Sequence, residues 1–118
     1  MSISERRTQD VVIIDLKGRI TFDDGAEQLS DKVNSLLLQG QSKVLLNMSS
    51  VPHIDSGALG KLVSCWLRAR RANSELKLFG LTRRVVELLT ITKLITIFDT
   101  HDTEQEAIAS CMAYSLKR

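Results

Sequence analysis

Four short apolar runs recur along this chain: VVIIDL at 11–16, KVLLNM at 43–48, ELKLF at 75–79 and ITIF at 95–98. Between them the apolar residues change to a 3.6-residue period. Runs rich in β-branched residues read as strands, and the periodic stretches read as amphipathic helices. A chain that alternates in this way has few options, because each strand must pair and each helix must bury its apolar stripe on the resulting sheet. The crossovers make neighbouring strands parallel.

The boundaries follow from local signals. Ile3 to Thr8 can pair with 11–16 as an edge strand across the turn Gln9-Asp10. Asp23 and Asp24 open and cap a helix carrying Ala26, Leu29, Val33, Leu36 and Leu37, and Gly40 stops it. Ser49 to Asp55 form a loop with the single proline, Pro52. A second helix runs from about Ser56 to Ala72, with Leu59, Leu62, Val63, Trp66 and Ala69 inside and Lys61, Ser64, Arg68 and Arg71 outside. Thr82 caps a third helix with Val85, Val86, Leu88 and Leu89, and 95–98 supply the last strand. Thr103 and Glu106 have capping-box spacing for a final helix through about Tyr114, with Ala107, Ile108, Cys111 and Met112 as its apolar positions. The expected fold is α/β in the order β-β-α-β-α-β-α-β-α. It is one domain over 1–118, with a mixed, mostly parallel sheet of about five strands and about four helices.

Sixteen basic and 14 acidic residues leave a net charge of +2, too balanced for a dedicated nucleic-acid binder. No apolar stretch approaches the roughly 18 residues that span a bilayer, so no direct membrane insertion is expected. The N-terminus lacks the apolar core of a signal peptide. Cys65 and Cys111 lie among apolar neighbours and read as buried, reduced thiols of a cytoplasmic protein. His53 and His101 stand apart with no ligand cluster, so neither a metal nor another cofactor is expected.

The residues with chemical potential are Asp55-Ser56-Gly57, between the second apolar run and the second helix. A serine there can cap the helix, or it can be modified where a partner reaches it. Asp55 could equally be the cap, leaving Ser56 at the first helical position. His53, Asp55 and Ser56 do not make a catalytic triad, because three residues within four positions cannot easily place the imidazole between the other two. Lys61, Arg68, Arg70 and Arg71 form a basic surface. An ordinary solvated face is the simpler reading, and an acidic partner or lipid head groups the functional one.

The string VLLNMSSVPHIDSGALGKLV resembles the signature of STAS domains, the family that includes bacterial anti-sigma factor antagonists. LKGRIT, LKLFGLTRRVVELLTITKL and ITIFDTHDTEQEAIAS are similar to that family's other strand–helix segments, so the resemblance covers nearly the whole chain. It implies a non-enzymatic partner switch. Ser56 would be phosphorylated by an anti-sigma factor that is also a serine kinase, which releases it, and a serine phosphatase would reset it. The implied partner surface comprises Thr21, Asp23, Asp24, His53, Asp55, Ser56, Gly57 and Lys61. Gly57 and Ala58 replace the family's usual hydroxyl residue and glycine, and Gly57 would supply backbone freedom there. Thr21 stands where many relatives carry an acidic residue. Two other roles fit the same resemblance: an unphosphorylated adaptor on a lipid-trafficking ABC transporter, and a stressosome-like scaffold. A monomer is expected when the protein is free.

Overall fold

The computed structural model describes the backbone of residues 1–116 and the side chains of 1–111. The Met112 side chain, expected in the core, lies outside the described residues. The elements are β1 (Ser2–Thr8), β2 (Val11–Lys17), α1 (Ala26–Leu38), β3 (Lys43–Ser50), α2 (Ser56–Arg71), β4 (Glu75–Phe79), α3 (Arg83–Ile91), β5 (Asp99–His101) and α4 (Glu104–Leu116). They build a sheet whose spatial order is the chain order, β1-β2-β3-β4-β5. β1 pairs antiparallel with β2, and the other neighbours are parallel. Gln9 and Asp10 turn the hairpin with φ of 48° and 69°, the positive values a tight two-residue hairpin needs.

The order of strands places the helices. From β2 to β5 the chain steps steadily in one direction across the sheet. Right-handed crossovers then put every connecting helix on the same face. Accordingly Val12, Ile14, Leu16, Val44, Leu46, Met48, Leu76 and Leu78 share one core with buried residues of α1, α2 and α3. Among the described residues only α4, which follows the last strand, covers the other face. There Ala107, Ile108 and Cys111 meet Val11, Ile13, Leu45 and Phe79. The central strands are thus buried on both sides, which is why their sequences run apolar without alternation.

Several local expectations are corrected. Asp23 and Asp24 do not open α1. Gly25, with φ 99°, is its N-cap, and Gln28 Oε1 accepts the Gly25 N–H at 3.0 Å. Thr21 and Asp24 are instead locked in a turn. The Asp24 N–H donates to Thr21 Oγ1 at 3.0 Å, and the Thr21 N–H donates to the Asp24 carbonyl at 2.8 Å. Nor does 95–98 form a strand. The Leu94 and Ile95 N–H groups donate to the Leu89 carbonyl, and those of Ile97 and Phe98 to the Leu94 carbonyl, so their hydrogen bonds are spent locally. Phe98 is buried as a plug, edge-on to Trp66 at 6.3 Å between ring centroids. The polar residues Asp99–His101 make the strand, paired with Lys77–Phe79.

Thr82 stands at the N-cap of α3, but its hydroxyl donates to the Val51 carbonyl at 3.0 Å and ties the helix to the β3–α2 loop. On α2, Cys65 is fully buried, while Val63 and Trp66 are only partly buried against the core, with the Arg70 guanidinium 5.3 Å above the indole. The basic face is not simply solvated. Arg68 Nη1 donates to Ser30 Oγ at 3.0 Å, and Lys61 pairs with Glu27 at 3.3 Å, so both bridge α2 to α1.

Candidate functional site

Two loops leave the carboxyl ends of the parallel strands β2 and β3 side by side, the position at which α/β sheets usually carry their sites. The Gly18 N–H donates to the Ser50 carbonyl at 2.9 Å, the Ile20 N–H to the His53 carbonyl at 3.0 Å, and the Asp55 N–H to the Ile20 carbonyl at 3.2 Å. Buried Ile20, Val51 and Ile54 anchor this zipper from below. The two loops therefore move as one unit, and the residues at their tips have fixed relative positions.

Asp55 is the N-cap of α2, in extended conformation, with Oδ1 accepting the Ala58 N–H at 2.8 Å. The same carboxylate reaches across to the other loop, where the Phe22 N–H donates to Oδ1 at 3.1 Å and to Oδ2 at 3.2 Å. The Ala58 bond, with help from Phe22, His53 and Gly57 and against desolvation, holds the Asp55 carboxyl below the usual carboxylate range. Of the two cap assignments open in the sequence, Asp55 is the cap. Ser56 is the first helical residue, exposed, and its hydroxyl makes no hydrogen bond among the described residues. Ala58 is buried with its methyl group in the core, so a glycine there would leave a gap.

Gly57 does not supply backbone freedom, since its φ is not positive. Its reason is contact. A Cβ at 57 would lie 2.6 Å from Phe22 Cβ and 3.0 Å from two ring carbons. Phe22 thus rests on the Cα of Gly57 while 61% of its surface stays exposed. Phe22 is not among the site residues that the sequence points to. Its only signal was an aromatic inside an otherwise polar turn, between Thr21 and Asp23.

The other expected residues divide. His53 is half-buried in the β3–α2 loop, and Asp23 and Asp24 are exposed on the β2–α1 loop beside Phe22. Thr21 uses its hydroxyl within its own turn, and Asp24 lies 3.2 Å from the Met1 ammonium. Lys61 stands further along α2 and is engaged by Glu27. Among the described residues no hydrogen bond joins His53 to Ser56, and no group of three His, Cys, Asp or Glu side chains is placed to hold a metal. What the site offers is an exposed hydroxyl at a helix N-terminus, framed by one carboxylate and one aromatic ring.

Residues 2–107 match the model of the STAS domain. The chain belongs to the STAS-domain family. It is 36% identical over 61 residues to the anti-sigma-B factor antagonist of Listeria monocytogenes, a match covering 52% of this chain and 54% of that protein. The chain thus spans about half the length of the curated relatives it matches. Among solved structures, a Thermotoga maritima protein assigned as an anti-sigma factor antagonist superposes with a TM-score of 0.85 at 26% identity, covering 92% of each chain. The phosphorylated form of the Bacillus cell fate determinant SpoIIAA shares the fold, with a TM-score of 0.71 at 19% identity over 93% of this chain and 99% of that one. No helix among the described residues is long and apolar enough to cross a membrane.

Proposed function

We propose that this STAS protein is an anti-sigma factor antagonist, switched by phosphorylation of Ser56. The observation that carries this is the division of labour at the start of α2. Asp55 does the capping, which leaves the exposed Ser56 hydroxyl with no structural duty. Support also comes from the similarity to the Listeria antagonist and from the shared fold with a protein that has a phosphorylated form.

The chemistry belongs to the partner, a serine kinase that is itself the anti-sigma factor. Ser56 Oγ attacks the γ-phosphorus of ATP held by the kinase, a base of the kinase takes the hydroxyl proton, and ADP leaves. The product carries about −1.5 to −2 charges at neutral pH. The dipole and amides at the helix N-terminus favour that charge by about 0.3–1 kcal/mol, while Asp55 opposes it. The domain keeps its fold, but a partner surface closed over a neutral serine must now dehydrate a phosphate. Each ~1.4 kcal/mol of that penalty is tenfold in affinity. A local change of charge is thus enough to release the partner, and a serine phosphatase restores binding.

The test is a pull-down from the source cells with wild type, Ser56→Ala and Ser56→Asp, read by mass spectrometry, together with labelling by ATP and the captured kinase. The switch requires Ser56→Ala to retain a serine kinase that Ser56→Asp loses, and label to vanish in Ser56→Ala. Identical partner sets for the two variants, or a transporter ATPase in both, would sink it in favour of an adaptor.

A further inference from the structure

We infer that Phe22 is a preset docking anchor, received by the kinase partner in an apolar pocket with a basic rim directly beside the nucleotide that modifies Ser56. The inference rests on the switch reading above and adds what that reading lacks, the contact that supplies affinity and aims the serine.

Three observations converge on it. Phe22 is exposed but not loose. Its N–H is held by both oxygens of Asp55, and its Cβ and ring sit on the bare Cα of Gly57, one residue from Ser56. An aromatic side chain fixed before binding loses little freedom on docking, which is what an interface anchor needs. The surroundings also specify the partner's chemistry. Asp23 and Asp24 flank the ring on the same loop and are exposed; Asp24 is paired with the Met1 ammonium at 3.2 Å, whereas Asp23 has no cationic partner among the described residues. An apolar centre with acidic neighbours is complemented by an apolar pocket with basic edges. Finally, Asp55 ties anchor and acceptor to one frame through hydrogen bonds, since it accepts the Phe22 N–H and caps the helix that begins at Ser56. Seating the ring therefore places the Ser56 hydroxyl, and the water-free zone around a seated ring is where a phosphate on Ser56 would be least tolerated.

The test replaces Phe22, or in a parallel protein Leu38, with the photoreactive p-benzoylphenylalanine, both in the Ser56→Ala background. Leu38 is 82% exposed at the end of α1 and serves as the control. After irradiation in the source cells, position 22 should cross-link to the serine kinase and position 38 should not. With that kinase purified, Phe22→Ala should weaken binding by about tenfold or more while the melting temperature stays unchanged. If Ser56→Ala captures the kinase but position 22 does not cross-link, or Phe22→Ala binds as tightly as its parent, the anchor is overturned and the switch stands. If Ser56→Ala captures no kinase, both fall together.

Discussion

The carboxylate of Asp55 and the backbone of Phe22 belong to different loops and are bonded through both carboxylate oxygens, at 3.1 and 3.2 Å. One side chain thus caps α2, fixes the β2–α1 loop and stands next to Ser56. The structural and functional demands on this end of the sheet meet in that residue. The Ser56 hydroxyl is left without a hydrogen-bond partner among the described residues because its neighbour carries the mechanical role.

Replacing Asp55 with Ala should therefore loosen two loops rather than one. The melting temperature should fall, and amide exchange should accelerate at Phe22 as well as at Ala58. A simple helix cap would protect Ala58 alone. The pH dependence has a definite sign. The folded Asp55 carboxyl is held below its ordinary value of 3.8, so its contribution is present above that pH and is lost as acid takes the pH down through the lowered folded value. Wild type should lose protection at Phe22 in acid, whereas Asp55→Asn should show no such step.

Gly57→Ala should be destabilising despite the better helix propensity of alanine. The gain is about 0.5–1 kcal/mol, while a Cβ placed 2.6 Å from Phe22 Cβ forces an overpacking cost of about 1–3 kcal/mol. Phe22→Ala does not relieve the clash, because it keeps the offending Cβ. Phe22→Gly does. Chemical denaturation of both singles and the Gly57→Ala/Phe22→Gly double variant should show favourable coupling of about 1 kcal/mol or more. Additive effects would show that the two residues do not meet as described.

These residues also mark the limits of what sequence reading can reach. The alternation of VVIIDL, KVLLNM and ELKLF with periodic stretches is enough to give the sheet, because two-sided burial leaves no other use for such runs. Parallel crossovers then follow from chirality. ITIF misleads because apolarity reports burial, and Phe98 is buried by packing on Trp66 rather than by pairing in a strand. Asp23 and Asp24 mislead because both make good caps in isolation, while the Thr21 hydroxyl claims the local N–H first. At the site, Asp55-Ser56 could be found by motif. The Phe22–Gly57 contact could not, since it joins the β2–α1 loop to the first turn of α2, distant in sequence, and depends on the absence of an atom.

The lone helix on the far face should detach first. Among the described residues its buried apolar side chains are Ala107, Ile108 and Cys111, and Arg6 adds a clamp by binding both Asp15, at 2.6 and 3.1 Å, and Glu104 of α4, at 3.1 Å and through a second, shorter contact. Glu104→Gln should cost about 0.5–1 kcal/mol and raise amide exchange in α4 more than in α1 or α2. Added salt should shrink the difference between variant and wild type. Bonds from Arg6, and then from Asn47, outweigh burial and keep the Asp15 carboxyl below its ordinary 3.8. The Arg6–Asp15 half of the clamp should therefore survive down to that pH and weaken only below it. A uniform rise in exchange across all helices would contradict this account.

Both cysteines should be silent in the folded protein. Burial pushes the Cys111 thiol up to about 11, and burial also raises that of Cys65. A thiolate is therefore scarce at either position, and a reagent has no path to it. A colorimetric thiol reagent near neutral pH should label neither residue in the native state and both once denaturant is added. Rapid labelling of Cys111 alone would mean that α4 opens without unfolding of the rest.

Ser56→Asp separates stability from recognition. At the first position of α2 the new carboxylate gains from the helix dipole and is repelled by Asp55, and it fills no cavity because Ser56 is exposed. The two terms oppose each other, so the unfolding free energy should stay within about 0.5 kcal/mol of wild type. The loops should keep their geometry, read as unchanged amide exchange at Phe22 and Ala58. Under the proposed switch, binding to the serine kinase should nevertheless collapse, because the added charge would have to be dehydrated next to the docked Phe22 ring. Loss of binding accompanied by loss of protection at Phe22 would point to a different cause: the charge would be acting by breaking the Asp55 frame, and release of the partner would be a folding effect rather than an electrostatic one.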